Sequence, residues 1–341
     1  MLTLLWGLLA DPPLAMVRAE LGRLGAPTRF LDQRAVVGTA VTLELGARTQ
    51  GGIRVGDTEL DIADVGAVYL RPHESTRVVA AQGFVDGTAE QAHALAVDVA
   101  LAVWADVTPA YVVNRPSASA GNGSKPYQLR RVAAAGFLVP ETLVTNDPEQ
   151  AREFAARHQD DVVVKSISSV RSRVRTLTSD DLTRLSDVVR SPVQLQQRVA
   201  GTDVRVHAVG ADVFATEVTC AAVDYRYAAD QGCAPARLRS YDLPDDVAER
   251  CLRLASSLGL PVAGIDLRRS PEGEWYCFEA NPSPAFSYYQ AATGQPIAAA
   301  VAGLLAAAAL CAAVPAAPAA PRGADLPGAY PPLPDLRSAV P

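Results

Sequence analysis

The sequence predicts an α/β protein that also contains mixed α+β lobes. Short apolar runs alternate with helical repeats over residues 1–115, which is the order typical of a parallel sheet covered by helices. Beyond residue 115 helices and strands follow each other less regularly, as in α+β lobes. The chain has 341 residues, of which 49% are hydrophobic, so two or three structural units can share a large core.

The first unit is predicted at residues 1–115. Its first strand covers residues 2–9, and a helix follows because apolar residues recur at helical spacing from Leu14 to Leu24 before Gly25. Three more strands and one long helix complete a parallel α/β unit. The strands are expected at 28–31, 67–70 and 111–114, and the helix at 88–104.

The second unit is predicted at residues 116–191 as a small α+β lobe. Ser124, Lys125 and Pro126 open a helix that closes at Gly136, and Asp147-Pro148 forms the N-terminus of another. A further helix is expected at 179–189, with Ser179 as its N-cap. Strands are expected at 142–145 and 161–167.

The third unit is predicted at residues 192–313, and an Ala/Pro-rich flexible tail at 314–341. A helix at 245–258 is followed by two strands that a Ser-Pro-Glu-Gly segment joins as a hairpin. The Ala-rich run at 298–314 is too weakly apolar for a membrane span, so a packed helix is expected. The strands are expected at 193–199, 203–209, 212–219, 262–268 and 275–279.

Charge and cysteine usage narrow the class of protein. The net charge is −6 and the isoelectric point is about 5.3, which argues against nucleic acid as a partner. The five cysteines form no C-x-x-C motif, and the apolar start lacks the cationic region of a signal peptide. We therefore expect a cytoplasmic protein with reduced cysteines and no membrane partner.

A cluster of oxygen ligands is predicted in the hairpin at 262–281. Asp266 lies in its first strand, and Glu279 and Asn281 lie at the end of its second. Antiparallel pairing would bring the two carboxylates side by side, and such oxygen ligands suit Mg²⁺. The alternative is an exposed carboxylate beside a turn asparagine.

Two lysines and a hinge-like segment suggest a bound anion and a nucleotide. Lys165 ends an apolar strand, and Lys125 lies at a helix N-terminus, where a cation is disfavoured. An anionic ligand would explain both, although Lys165 can also extend to the surface. The segment 194–203 joins a strand to Gly201 and Asp203, and can pair with a base and a ribose; the alternative is a solvated strand face.

These stretches together resemble the ATP-grasp superfamily, in the branch of ribosomal-protein glutamate ligases and of the graspetide (microviridin-type) peptide ligases. The segments that carry the resemblance occur in the family's order and cover most of 114–300. They include VVVKSIS at 162–168, LQQRVAGTDVRV at 195–206, GIDLR at 264–268 and FEANP at 278–282. The fold that this implies is an ATP-grasp fold with an N-terminal parallel α/β pre-ATP-grasp domain. Phosphate-binding loops of other families, such as G-x-x-x-x-G-K-[ST], do not occur.

The resemblance implies roles for individual residues. Lys125 and Lys165 are expected to hold the phosphates of ATP, and Asp203 the ribose. The metal ligands are expected to be Asp266, Glu279 and Asn281, with Glu279 bridging two Mg²⁺ ions; Mn²⁺ is an alternative. The remaining implied residues are the adenine hinge (Gln196, Gln197, Arg198 and Val199) and three arginines for the transferred phosphate or the substrate carboxylate (Arg205, Arg226 and Arg268).

Three stretches depart from the family's usual pattern. The hinge reads Gln196-Gln197 rather than Gln-Glu, and the loop over the phosphates is arginine-rich, with Arg171, Arg173 and Arg175 in place of glycines. After the metal asparagine the sequence is PSPAFSYY (282–289), where graspetide ligases carry glycine and tryptophans. Backbone contacts of the hinge should tolerate the first change. The alternating arginines are expected to form a cationic lid over the phosphates, with a solvated hairpin as the alternative. The third change concerns the substrate subgroup.

The function predicted is an ADP-producing carboxylate–amine or carboxylate–hydroxyl ligase that acts through an acyl phosphate on a peptide. No general base is evident from the sequence, and His207 and Asp224 are candidates for this role. Two alternatives stay open, namely a small-molecule ligase that joins amino acids and an inactive nucleotide-binding module. A homodimer is also expected, because related ligases are commonly oligomers.

Overall fold

The computed structural model describes residues 1–46, 49–85, 87–159, 161–165, 174–221, 225 and 232–312. Within these residues the strands form four sheets. The predicted tail at 314–341 lies outside them. The predicted unit boundaries near residues 115, 191 and 313 stay predictions.

The N-terminal sheet is parallel and has four strands, as the alternation of strands and helices predicts. Helix α1 (Pro12–Arg23) begins where the carboxylate of Asp11 accepts a hydrogen bond from the Leu14 N–H at 3.1 Å. Its apolar residues Leu14, Val17 and Leu21 are fully buried. The strands in spatial order are β2 (Thr28–Asp32), β1 (Leu2–Gly7), β6 (Val65–Arg71) and β7 (Tyr111–Val113).

The sequence did not predict several elements between residues 33 and 81. Apolar residues alternate along the strands in this region, and Leu43, Ile53 and Leu60 lie in or against the N-terminal core. The two glycines of the second strand and the shortness of the third weaken the pattern that identifies a strand. At Gly51 any side chain would collide with the carbonyl oxygen of Thr42, which explains the glycine in this hairpin. The elements are β3 (Thr39–Leu45), β4 (Thr49–Val55) and β5 (Thr58–Asp61), which form an antiparallel sheet, and α2 (Ser75–Ala81).

The central sheet is antiparallel. Its helix α6 (Pro148–Arg157) begins at Asp147, whose side chain accepts from the Glu149 N–H at 2.8 Å, as predicted from Asp-Pro. The core under this sheet contains Phe154, Val162 and Leu195. The strands in spatial order are β10 (Arg175–Thr176), β9 (Val162–Lys165), β11 (Val193–Gln197) and β8 (Thr142–Thr145).

The helix predicted at 179–189 is wrong in its cap and its length. The N-cap is Thr178, whose side chain and that of Asp181 bond each other's backbone N–H groups in a capping box. Helix α7 (Ser179–Thr183) is short, and a 3₁₀ helix (Leu185–Arg190) replaces its second half. Thr178 rather than Ser179 is the N-cap because its hydroxyl accepts the Asp181 N–H while the Asp181 carboxylate accepts the Thr178 N–H.

The C-terminal sheet has five antiparallel strands and carries the predicted hairpin. Helices α5 (Lys125–Ala134) and α8 (Asp245–Ser257) cover one face, packing Val132 and Leu254 against Ile265 and Leu267. The strands in spatial order are β14 (Arg237–Tyr241), β13 (Asp212–Thr219), β12 (Thr202–Val209), β15 (Val262–Arg269) and β16 (Trp275–Asn281).

Two further helices join the N-terminal and C-terminal sheets. Helix α10 (Ile297–Ala312), predicted from its Ala-rich run, buries Val301 and Leu305 in a core shared with Leu5 of β1 and Val209 of β12. Helix α9 (Ser287–Thr293), which the sequence did not predict, follows the hairpin. None of the helices in the described part of the chain is long and apolar enough to cross a membrane.

Candidate active site

The hairpin of β15 and β16 brings the predicted metal ligands together. Asp266 and Glu279 are direct cross-strand partners, and Asn281 is paired with Gly264 at the same end of the ladder. Directly opposed residues on antiparallel strands have Cβ atoms about 5 Å apart. Both carboxylates and the amide are therefore within reach of one cation. The Asn281 Oδ1 also accepts the Ser283 N–H at 2.9 Å, which holds the amide at the strand end.

The donor set fits Mg²⁺ when phosphate oxygens complete the shell. Among the described residues, no group of three or more His, Cys, Asp or Glu side chains is placed to hold a metal ion. A cation held by Asp266, Glu279 and Asn281 would thus have two carboxylates and one amide from the protein. Mg²⁺ commonly uses one or two carboxylates together with water and substrate phosphates.

A buried arginine lies directly against this site. The Arg205 side chain of β12 is buried, and its Nη1 donates to Asp266 Oδ1 at 2.5 Å. Burial alone would lower the pKa of Arg205, but the nearby Asp266, Tyr289 and Tyr225 raise it above its ordinary value. The guanidinium is therefore a permanent positive charge beside the carboxylates, available to any negative charge that develops there.

The position of the Arg205 guanidinium depends on a glycine and an aromatic ring. A Cβ atom at Gly264 would lie 2.0 Å from the Arg205 Nη2. The ring of Tyr289 lies 5.7 Å from the guanidinium carbon, within cation–π range. The hydroxyls of Tyr289 and Tyr225 are 2.6 Å apart. Sequence reasoning did not identify these three residues, because nothing local marks them as neighbours of Arg205.

His207 is placed beside this cluster but is unsuited to general-base catalysis. It is fully buried on β12, and its ring centroid lies 4.9 Å from that of Tyr289. Burial and the charge of Arg205 lower its pKa well below the usual value. Neither ring nitrogen has a hydrogen-bond partner among the described residues. The other candidate base, Asp224, lies outside the described residues.

Phe278 links the central sheet to the hairpin. The β15–β16 register shifts between Asp266 and Leu267, so Phe278 is the extra residue of a β-bulge. The Lys165 Nζ lies 5.4 Å from the Phe278 ring centroid, and the Arg268 Cζ lies 5.3 Å from it. Because of the bulge, Lys165 of β9 lies against Phe278, the residue that immediately precedes Glu279 in the chain. Sequence periodicity could not reveal this contact, because the bulge interrupts the two-residue period.

Lys125 is positioned through α5. One turn after it, the buried side chain of Gln128 donates to the Ala280 carbonyl at 2.8 Å and accepts from the Ala280 N–H at 3.3 Å. These two bonds fix the start of α5 against the strand segment between Glu279 and Asn281. The structure therefore brings Lys125, Lys165 and the hairpin carboxylates to one region.

Backbone hydrogen bonds to neighbouring segments hold the predicted hinge in place. The N–H of Gln197 donates to the Glu141 carbonyl at 2.9 Å, and the N–H of Arg198 donates to the Asp161 carbonyl at 3.0 Å. Arg198 also forms an ion pair with Asp161. Gln196 is buried and bonds the Thr142 hydroxyl at 2.9 Å.

Arg268 contacts the hinge and the predicted ribose acid. Its Nε donates to Asp203 Oδ1 at 2.7 Å, and its Nη1 donates to the Val199 carbonyl at 2.8 Å. These contacts indicate that Arg268 positions the hinge, a role that sequence reasoning did not assign to it.

Only part of the predicted set of additional arginines falls within the described residues. Arg226, Arg171 and Arg173 lie outside the described residues. Arg175 is described, and its guanidinium is paired with Asp181. The side-chain bond to Arg175 is the largest cause that lowers the pKa of Asp181, to about 2. In this structure, therefore, Arg175 stabilises the capped helix α7.

The N-terminal sheet supports the loop that follows Asn281. Asn114, at the end of β7, donates to the carbonyls of Val262 and Pro282 at 2.6 and 2.5 Å and accepts the Val262 N–H at 3.2 Å. Arg71 pairs with Asp11 at 2.5 Å and donates to the Pro284 carbonyl at 3.1 Å. Both contacts are buried or partly buried, so they fix this loop beneath the site.

The fold is that of an ATP-grasp protein. The model of the RimK-like ATP-grasp domain matches residues 124–305, which is more than half of the chain. The chain belongs to this family.

Known relatives agree with this assignment. Beta-citrylglutamate synthase B of Danio rerio is 26% identical over 201 residues, which cover 56% of this chain and 49% of the relative. The chain thus spans about half the length of this curated relative. Among solved structures, the ATP-grasp ligase PsnB, complexed with a phosphomimetic variant of its minimal precursor, Mg and ADP, is 26% identical with a TM-score of 0.75. That match covers 90% of this chain and 98% of PsnB.

A more distant structure shares the fold. The macrocyclase MdnC of Microcystis aeruginosa MRC, bound with precursor peptide MdnA, is 21% identical with a TM-score of 0.72 over 89% of this chain and 99% of MdnC. Taken with the family match, these similarities show that the chain has an ATP-grasp fold.

Proposed function

We propose that this ligase phosphorylates a carboxylate of a peptide and joins it to an amine or hydroxyl. The observation that carries the chemistry is the cross-strand pair of Asp266 and Glu279, with Arg205 beside it and Lys165 against the adjacent Phe278. Two acids and several fixed cations at one strand end suit a polyphosphate and its cation. PsnB, which shares 26% identity, is complexed with its precursor, and this supports a peptide substrate.

The proposed roles of the chain's own residues follow from their positions. Lys125 and Lys165 hold the phosphates, while the hinge from Gln196 to Val199 holds the adenine and Asp203 the ribose. The N–H of Val199, which has no acceptor among the described residues, is the donor proposed for the base. Asp266, Glu279 and Asn281 would hold one or two Mg²⁺ ions, with Mn²⁺ as the alternative. When bound, the cation neutralises phosphate charge.

The reaction is then a sequence of two displacements. An oxygen of the substrate carboxylate attacks the γ-phosphorus, the bond to the β-phosphate oxygen breaks, and ADP leaves with its electron pair. The amine or hydroxyl attacks the acyl carbon, the C–O bond to phosphate breaks, and a proton passes to the released phosphate or to water. Arg205 stabilises the oxyanion of the second step, and Arg268 positions the hinge. Arg226 is proposed to bind the substrate carboxylate.

The experiment is ADP release by Glu279→Gln. This variant removes one negative charge and retains the shape of the side chain, so nucleotide-dependent turnover should fall by at least about 100-fold. Gln150→Glu, which changes an exposed residue of α6, is the control and should not alter the rate. Unchanged ADP release by Glu279→Gln would exclude the proposed metal site.

A second candidate is a small-molecule ligase, favoured by the similarity to beta-citrylglutamate synthase B. Two incubations with ATP distinguish the peptide ligase from the small-molecule ligase. One contains a peptide that carries acidic side chains, and the other contains free dicarboxylic and amino acids. A mass loss of one water from the peptide supports the peptide ligase. A condensed small product without peptide modification supports the alternative. Nucleotide binding without turnover by either set would indicate an inactive module.

Location and partners remain predictions. A reducing cytoplasm fits a chain whose five cysteines form no C-x-x-C motif and of which two, Cys251 and Cys277, are buried. The acidic charge of the chain argues against nucleic acid as a partner. A homodimer is also proposed.

A further inference from the structure

The loop at residues 282–286 follows the proposed metal ligand Asn281 and is held at both ends by the N-terminal unit. At its start, the Asn114 amide donates to the Pro282 carbonyl at 2.5 Å. At its end, Phe286 is fully buried in the core that β1 and α1 also line. The position of this loop therefore depends on the N-terminal unit more than on the hairpin from which it emerges.

The strand end that carries Asn114 is itself anchored. The next residue, Arg115, donates to the carbonyls of Ala105 at 2.6 Å and Thr108 at 2.9 Å, at the end of helix α3 (Ala89–Val107). The inner face of α3 packs in the N-terminal core. The bond from Asn114 to the loop is thus made from a fixed support.

An ion pair between Asp11 and Arg71 holds the middle of the loop. Asp11 precedes α1, and Arg71 is the last residue of β6. The Asp11 carboxylate accepts from the Arg71 Nε at 2.5 Å and from its Nη2 at 3.1 Å, and the Arg71 Nη1 donates to the Pro284 carbonyl at 3.1 Å. The planar fork of the guanidinium therefore sets the Pro284 carbonyl relative to Asp11.

The ion pair is fixed on the side of the N-terminal sheet. Its two side chains are only 9% and 11% exposed, and Asp11 also accepts the Leu14 N–H as the cap of α1. A Cβ atom on Gly7, at the end of β1, would lie 2.6 Å from the Arg71 carbonyl oxygen, so the two strand ends are in close contact. Burial alone would lower the pKa of Arg71, but Tyr69 and Asp11 raise it above its ordinary value.

Pro284 connects this ion pair with Arg205. Pro284 is buried, and its Cβ atom would lie 2.7 Å from a Cβ atom placed on Gly264. The Arg205 Nη2 would lie 2.0 Å from the same point. Pro284 and the Arg205 guanidinium are therefore neighbours over the unsubstituted Cα of Gly264. A shift of Pro284 would change the space that the guanidinium occupies.

Packing matters for Arg205 because hydrogen bonds restrain it little. Its Nη1 donates to Asp266, but its buried Nε has no hydrogen-bond partner among the described residues. The ring of Tyr289 lies 5.7 Å from its Cζ. A guanidinium held by one carboxylate oxygen can turn about that bond unless neighbouring atoms fill the space around it, so Pro284 and Tyr289 restrict its orientation.

We propose that Arg71 is a positioning residue for the reaction and that it acts on Arg205 through Pro284. The effect on turnover rests on the proposed function, in which Arg205 stabilises an oxyanion. The hydrogen bonds of Arg71 to Asp11 and Pro284 leave the hinge untouched, so its loss should lower kcat and leave the KM for ATP unchanged. An ion pair that served stability alone would leave the kcat of the folded protein unchanged.

The first test is the kinetics of Arg71→Lys, which keeps the charge for Asp11 but loses the fork that reaches Pro284. Its kcat for ADP release should fall by about 10- to 100-fold, because a misplacement of about 1 Å can cost about 100-fold. The matched control is Arg34→Lys, since Arg34 pairs with Asp32 at the end of β2 in the same sheet and its side chain is 65% exposed. The control should retain the wild-type kcat and KM. A wild-type kcat in Arg71→Lys, or an effect confined to the KM for ATP, would overturn the proposal.

The second test asks whether Arg71 acts through Arg205. If it does, the double variant Arg71→Lys/Arg205→Lys should be no more than about twofold slower than Arg205→Lys alone, because residues that act as one unit are not additive. Multiplication of the two single losses would overturn the proposed route through Arg205.

The third test is spectroscopic and requires no turnover. In protein with isotope-labelled arginine, the Nε–Hε signal of Arg205 is identified by its loss in Arg205→Lys. This signal should shift in Arg71→Lys and keep its wild-type position in Arg34→Lys. An unmoved signal would overturn the proposal whether or not the wild type releases ADP. A wild type that releases no ADP, with a shifted signal in Arg71→Lys, would refute the proposed function and leave the positioning of Arg205 established.

A variant of the loop itself covers the case in which Arg71→Lys does not fold. Pro284→Gly keeps the carbonyl that Arg71 binds and removes the ring beside Gly264. It should lower kcat and shift the Arg205 signal, whereas Ala285→Gly, at the exposed neighbouring position, should do neither. A wild-type kcat and an unmoved signal in Pro284→Gly would overturn the proposal.

Discussion

Gly264 occupies a position where any side chain would overlap the Arg205 guanidinium. A Cβ at this residue would lie 2.0 Å from Nη2 of Arg205 and 2.7 Å from a carbon of Pro284. Gly264 lies in β15 and Arg205 in the adjacent strand β12, and the Arg205 guanidinium forms an ion pair with Asp266. The absence of a side chain at Gly264 thus decides where the buried charge is held.

Gly264→Ala should therefore impair catalysis more than folding. The methyl group would displace the guanidinium, and loss of one positioned donor to a developing charge typically reduces turnover by about 100-fold. Steady-state ADP release measures this effect. Gly303→Ala, in α10 where a Cβ meets nothing within 4 Å, is the control and should retain full activity. Equal activity of the two variants would mean that Arg205 has no role in the reaction.

The variants Asp266→Asn and Glu279→Gln should both lose activity, but Asp266→Asn should be the less stable protein. Asp266→Asn leaves Arg205 buried without its counter-charge, while Glu279→Gln leaves the Asp266–Arg205 pair in place. Breaking a buried pair costs about 3–5 kcal/mol, but Asp266 is partly exposed, so we expect about 2 kcal/mol. Urea unfolding of both variants measures the difference. A Glu279→Gln protein as destabilised as Asp266→Asn would contradict this division of roles.

Gln128→Leu should raise the KM for ATP and lower stability. The variant leaves the buried N–H and carbonyl of Ala280 without partners, at a cost of about 1–3 kcal/mol for each unsatisfied group. It also frees the start of α5, which carries Lys125. Thermal unfolding and ATP titrations measure both effects. The control Gln150→Leu, at an exposed site of α6, should change neither the KM for ATP nor the stability. An unchanged KM in Gln128→Leu would show that the position of α5 does not affect nucleotide binding.

Stability should fall as the pH is lowered because of His207. Burial, together with the positive charge of Arg205, holds the pKa of His207 in the folded protein well below its ordinary value of 6.5. The unfolded chain therefore binds a proton that the folded protein does not, and stability present above pH 6.5 is lost as the pH falls towards the folded pKa. The slope from one proton approaches about 1.4 kcal/mol per pH unit.

The measurement is the free energy of unfolding in urea between neutral pH and pH 5. His207→Leu removes the titrating ring and should reduce the slope over this range, although it also changes packing against Tyr289. The comparison therefore uses slopes and not absolute stabilities. Identical slopes for the wild type and His207→Leu would show that another group causes the acid sensitivity.

Local sequence signals predicted most of the helices and strands and the hairpin that carries the proposed metal ligands. Asp147-Pro148 predicted a helix start, and two strands joined by a short polar loop predicted that Asp266 and Glu279 would be neighbours. Such inferences succeed because caps, turns and antiparallel pairing depend on residues close in the chain. The three-stranded sheet of residues 39–61 was missed because its second strand contains two glycines and its third has only four residues, although Leu43, Ile53 and Leu60 pack in or against the N-terminal core.

Tertiary structure alone decided which distant residues complete the site. Gly264 and Tyr289 fix Arg205, Gln128 fixes α5 to Ala280, and Asn114 holds the start of β15. These contacts join segments separated by about 60 to 150 residues, and a linear pattern carries no signal for them. The physical reason is that a side chain's polar partner is set by the packing of sheets and helices, which no local preference encodes.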